Sequence, residues 1–285
     1  MSTTVSDIIE EIQDRIPEER LPNLFPALNR AIRTIAKRLF ALESDLVIAG
    51  METSLFASVD YTALTIAFVS GGLETADTIT DSASEFVAEG FEVDMPIKTS
   101  NTSNPGPMRI TTVAADIINL DAKESVMTSV PAGTCVTITS VDDFGYLPDD
   151  FWGFIEKPYI DGYTWPLNPL PNPGTKLIYA ATSGTPRYYE LKGNRLYVTP
   201  GTGTDITIIG DYWQKPAKLT TMDDYLPWNE LFDDAIEEYL SRVLIAGVAA
   251  TDAELGKYLS GAVDLVVPKR SKKAPAQMPG GIRWN

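Results

Sequence analysis

The hydrophobic period changes twice along this chain. Apolar residues recur at helical spacing toward both ends of the sequence and alternate between them. Val5, Ile8, Ile9, Ile12 and Ile16 predict one helix, stopped by Pro17. Leu24, Leu28, Ile32, Ile35 and Leu39 predict a second from Asn23 to Leu42, with Pro26 tolerated in its first turn. A third starts near Trp228 with the stripe Leu231, Ala235, Tyr239, Leu240, Val243 and Leu244. A fourth starts at Thr251, where Glu254 completes a capping box, and ends at Pro268. Residues 62–68 alternate, and strand candidates follow at 78–80, 95–99, 108–113, 117–120 and 135–139, between turn signals such as Gly71-Gly72. Further strands at 177–180, 187–191, 195–199 and 206–213 read as a β-meander with a tight turn at Lys192-Gly193-Asn194.

A helix with one apolar stripe cannot bury itself, so both ends are expected to share a core. The expected class is α+β: a helical bundle formed by the N- and C-terminal helix pairs, plus the β-meander and an inserted all-β barrel or sandwich domain. On this reading residues 1–59 and 142–268 form the core, 60–141 the insertion, and 269–285 a flexible basic C-terminal tail.

Composition narrows function. The net charge is −16, and histidine is absent. That removes Ser-His and Cys-His nucleophile pairs, His-ligated zinc and the usual general base near neutral pH. The reading is therefore not an enzyme, with no cofactor and no catalytic or metal residues. A single cysteine, Cys135, excludes an intramolecular disulfide and reads as a small buried hydrophobe in a strand. No apolar run is long enough to span a bilayer, and the first residues lack a signal peptide's charged and apolar regions, so synthesis in a cytoplasm is expected. The acidic pairs Asp142-Asp143, Asp149-Asp150, Asp223-Asp224 and Asp233-Asp234 suit turns and caps. Gly201-Thr202-Gly203-Thr204 lacks the Lys-Ser/Thr of a phosphate loop and reads as a hairpin turn.

Two basic features stand out on this acidic chain. Arg30, Arg33 and Lys37 share one face of the second helix, as a solvated or subunit-facing row or as a channel-facing patch. The tail carries Lys269, Arg270, Lys272, Lys273 and Arg283 with no acid, and Ile282 and Trp284 near its end offer apolar anchors.

Several segments resemble one family in consistent order. They are Tyr146-Leu147-Pro148-Asp149-Asp150-Phe151, Gly184-Thr185-Pro186-Arg187-Tyr188-Tyr189, Leu196-Tyr197-Val198-Thr199-Pro200, then Ile206 to Trp213 with Pro216-Ala217-Lys218-Leu219-Thr220, and the helix after Leu226-Pro227-Trp228. Together with the first two helices they resemble phage head-to-tail adaptors, also called connectors or tail tubular proteins, over about two thirds of the chain. The stretch 79–97, with Gly90-Phe91-Glu92-Val93-Asp94, resembles small β-domains of phage tail components. The resemblance implies a structural virion protein at the head-tail junction. It would form a homo-oligomeric ring, expected to be dodecameric, under the portal protein. It would extend the DNA channel, touch passing DNA non-specifically at most, and seat a downstream tail or nozzle protein. Other readings are another tail completion or decoration protein, or a carbohydrate-binding or carbohydrate-active virion module using Trp152, Trp165 and Trp213.

Overall fold

The computed structural model describes residues 3–10, 12, 14, 16–71, 76–121, 127–172, 174, 178, 184–228, 231–245 and 252–267. They divide into two compact units. One joins the residues up to Ala49 to those from Trp213 onward; the other is 50–212.

The first unit contains four α-helices with described bounds: α1 (Val5–Glu10), α2 (Leu24–Ala41), α3 (Asp233–Leu240) and α4 (Asp252–Val266). A capping box starts α1, with the Thr4 amide donating to Asp7 at 2.7 Å and the Asp7 amide donating back to Thr4 Oγ1. Leu28, Ile32, Ile35 and Leu39 of α2 are buried in one apolar cluster with Ile8, Ile236, Leu240, Leu259 and Val263. Glu43, at φ +54°, ends α2 in the left-handed conformation that closes a Schellman motif. There the Ser44 amide reaches the Leu39 carbonyl and the Glu43 amide reaches Phe40. A bidentate ion pair from Arg38 to Asp264, at 2.8 and 2.5 Å, ties α2 to α4. That hydrogen bond raises the Arg38 pKa.

The rest of the described chain is dominated by strand. β1 (Ile48–Leu55), β15 (Ile206–Gln214), β10 (Phe151–Phe154) and β11 (Tyr159–Ile160) make one sheet. β12 (Asn168–Pro169), β13 (Tyr188–Lys192), β14 (Arg195–Thr199) and β9 (Phe144–Tyr146) make a second. The third has seven strands in the order β2 (Asp60–Ala63), β8 (Val136–Ser140), β5 (Pro96–Thr99), β6 (Met108–Val113), β7 (Ile117–Leu120), β4 (Thr78–Asp81) and β3 (Ile66–Val69). Phe68, Ile79 and Ile118 lie in register across β3, β4 and β7, and all are buried. Edge residues Tyr61 and Phe68 enter the same apolar cluster as the central Ile97 and Ile110, so the sheet curls around one core.

These observations correct the expected fold class. The molecule is mostly β, with fifteen strands in three sheets among the described residues, and not a helical bundle carrying a small inserted domain. Among the described residues, two of the four α-helices with described bounds, α1 and α3, are only six and eight residues long, too short for bundle members of matched length. Strands also occupy 48–55, 144–146, 151–154, 159–160 and 168–169, where aromatic, proline and glycine residues mask the period-two pattern. The β-meander is corrected too. β13 and β14 pair across the Gly193-Asn194 turn, but β15 lies in another sheet. The expected strand at 177–180 falls, apart from Ile178, outside the described residues.

Gly201-Thr202-Gly203-Thr204 is correspondingly a loop between two sheets rather than a hairpin turn. The Thr202 amide donates to the Asp142 carbonyl at 3.0 Å, and Thr202 Oγ1 donates to the Thr204 carbonyl. The alternating stretch 62–68 breaks at residues 64–65 into β2 and β3. Cys135 is exposed, just before β8, because the buried positions of that strand begin at Val136.

Candidate functional site

In the first compact unit α2 (Leu24–Ala41) presents a face that its core does not use. Residues 28, 32, 35 and 39 point into the apolar cluster, so positions 30, 33 and 37 fall on the opposite side. Arg30, Arg33 and Lys37 are all exposed there. A groove of about 580 Å³ runs along this face, and its lining adds Lys218 from a distant part of the sequence. Phe25, Pro26 and Leu219 give it apolar surface, and Thr34 and Thr220 add hydroxyls.

Asn29 explains why Lys218 is there. Its side chain is buried, with Nδ2 donating to the carbonyls of Phe25 and Leu219, each at 2.8 Å. Its Oδ1 accepts from the Leu219 amide at 2.9 Å. One amide side chain thus satisfies both backbone groups of Leu219 and pins the segment beside α2. Asp224 braces the next turn, accepting from the amides of Thr220 at 2.5 Å and Thr221 at 2.9 Å. Those backbone hydrogen bonds, with help from the Thr221 hydroxyl, hold its carboxyl below the usual aspartate range.

Like charges gathered on one face repel one another, and the groove persists because the backbone on both sides is fixed. Chemically it offers charge-assisted donors, with the bidentate forks of Arg30 and Arg33 suited to carboxylate or phosphate oxygens. Arg38 belongs elsewhere, being committed to Asp264. Lys218 was legible only as part of a sequence segment, because no local pattern links it to α2. Asn29 carried no signal beyond being a polar residue within a helix.

Lys269, Arg270, Lys272, Lys273, Ile282, Arg283 and Trp284 lie outside the described residues. Asp150 accepts from the Tyr212 hydroxyl at 2.8 Å, and Asp233 and Asp234 occupy the first turn of α3, where the helix dipole favours acids. Among the three tryptophans, Trp213 packs edge-on against Phe40 at 5.4 Å, as part of the helical unit's apolar surroundings. Trp152 is exposed, and Trp165 pairs edge-on with Tyr163 at 5.0 Å. Among the described residues no cluster of three or more His, Cys, Asp or Glu side chains is placed to hold a metal ion. No helix among them is long and apolar enough to cross a membrane. Neither a protein-family model nor any curated protein sequence matches the chain.

Proposed function

We propose that this chain is a structural subunit of a phage particle, a head-to-tail adaptor that acts by assembling into a ring beneath the portal. The observation that carries the reading is the gathering of four cationic side chains into one surface groove on a chain of net charge −16. A fixed charged surface of this kind is a device for orienting a partner. The ordered resemblance of residues 146–228 to adaptor proteins supports the same reading.

On this reading the portal meets the basic tail, with Trp284 as an anchor, and a downstream tail or nozzle protein sits on the opposite rim. Binding energy here comes from many repeated contacts around a ring, and no chemical step is required. The ring encloses the path of the DNA.

The test is to mix the full chain with its portal and separate the products on a density gradient. Co-migration of the two is expected, and truncation after Pro268 is expected to weaken it. Free migration of the intact chain at all ratios would exclude the adaptor role.

A further inference from the structure

We infer that the groove on α2 is the seam by which one copy of this chain holds the next. Its occupant is the exposed acidic segment that carries Glu10, Asp14, Glu18 and Glu19 of a second copy. The inference rests on the ring reading above and names the surfaces that would make the ring.

Charge complementarity is the first support. Glu10, Asp14, Glu18 and Glu19 are all exposed. Among the described residues none of the four takes part in an ion pair, and neither do Arg33, Lys37 or Lys218. The 3₁₀ turn Glu18–Asn23 buries none of its own residues. It presents Glu18 and Glu19 together with the exposed Leu21. The groove is matched to such a segment, with cations along its walls and the apolar surface of Phe25 and Pro26 within reach of a leucine. From Arg30 to Lys37 the cationic row runs about 10 Å along the helix, the length of a few residues of a partner chain.

Placement is the second support. α3 packs against both α1 and α2. Arg20 donates from Nη1 to the Leu244 carbonyl at 3.1 Å, fastening the acidic turn to the π-helical turn Ser241–Ile245 that follows α3. The acids are therefore carried on the α3 side of α2, whereas the groove opens on the face of α2 turned away from its buried row. Opposite charges on different flanks of one unit make a head-to-tail contact that repeats from copy to copy.

A polynucleotide is the less suitable occupant. The rest of the chain is acidic, so a polyanion extending past the groove would be repelled. The apolar surface beside the cations also has no counterpart in a sugar-phosphate backbone.

Charge exchange in the full-length chain, read by sedimentation without portal, tests the seam. Wild-type protein is expected to self-associate, and raising salt from about 50 to about 500 mM is expected to weaken association about tenfold or more. The double variant R33E/K37E and the double variant E18K/E19K should each lose association by a similar factor, with unchanged circular dichroism. Mixing the two variants should restore it, because each supplies the surface the other lacks. Neutral R33Q/K37Q, which introduces no repulsion, should fall between wild type and R33E/K37E. A wild-type chain that stays monomeric, variants that associate normally, or a mixture that does not recover would each overturn the inference. So would a fluorescein-labelled oligodeoxynucleotide that binds wild type and not R33E/K37E while self-association is the same in both. Portal co-migration with an unaffected R33E/K37E would sink this seam and leave the adaptor role standing. Recovery on mixing without any portal binding would do the reverse.

Discussion

The seven-stranded sheet and the helical unit place their polar chemistry on opposite sides of their cores. In the sheet the most unusual polar group points inward. Asp81 is buried and accepts a 2.6 Å hydrogen bond from the Tyr61 hydroxyl, beside the fully buried Phe86. Among the described residues of the helical unit the core is apolar apart from Asn29 and Ser44, and charge gathers on the outer face of α2. Two buried groups that satisfy each other serve stability and a unique structure. Arg33, Lys37 and Lys218 take part in no ion pair among the described residues, and a charged row of that kind suits the proposed partner. On the proposed reading, stability lies with the sheet and assembly with the helices.

The largest effect should come from the sheet's core. Phe86 packs edge-on against Tyr61 at 5.9 Å and Phe91 at 6.0 Å. Phe86→Ala should cost about 3–5 kcal/mol in denaturant unfolding, and should leave the salt dependence of self-association unchanged while the protein is folded. A change in that salt dependence would blur the division of labour.

Next in size is the groove's clamp. Asn29→Ala leaves the buried Leu219 amide and carbonyl without their partner, at a cost of about 2–3 kcal/mol. Unlike Phe86→Ala, it should also weaken self-association, because Lys218 loses its fixed position. Gly145 of β9 is comparable on the strand side. A Cβ there would meet the Ser54 carbonyl at 2.7 Å and Thr53 Cγ2 at 2.6 Å, so Gly145→Ala should destabilise by at least about 2 kcal/mol, with no effect on association.

A smaller effect separates the regions by pH. Burial and the hydrogen bond to Asp81 push the Tyr61 hydroxyl up to about 12. A raised folded-state pKa gives stability that is complete below the ordinary tyrosine value of 10.0 and is lost as pH rises toward 12. Asp81 feels burial, which raises its pKa, but hydrogen bonds from the Tyr61 hydroxyl and the Ala83 amide help to outweigh it and leave the pKa lowered. Its contribution is therefore present above the ordinary aspartate range and fades as pH falls below it. Tyr61→Phe should flatten the alkaline limb of the stability profile, and an unaltered limb would show that the pair is not coupled to folding. The smallest effect is a gain. Glu43→Gly relieves a left-handed glutamate at the end of α2 and should stabilise the chain by about 0.5–1 kcal/mol.

How far the sequence could be read follows the same division. The long stripe of α2 was legible because its apolar residues hold a 3.6 period across 18 residues. β6, β7 and β14 were legible because alternation and flanking turns bound them closely. β1 was missed because Gly50 and Glu52 break the apolar run, and only Met51, Thr53 and Leu55 turn inward. β9 to β12 were missed because their pairing is non-local: β9 joins β14, and β10 joins β15, some fifty residues onward. That pairing is what turned an expected helical bundle into a mostly β molecule. The cationic row on α2 was visible at spacings of three and seven. Its conversion into a groove was not, because that depends on an Asn29–Leu219 contact spanning 190 residues.

If this chain works by assembling, as proposed, electron microscopy of the full-length protein mixed with its portal will show it. A closed ring of copies capping one end of the portal is expected, coming apart into subunits when R33E/K37E replaces the wild type. Portals decorated by isolated copies, or bare portals beside free monomers at every ratio, would contradict it.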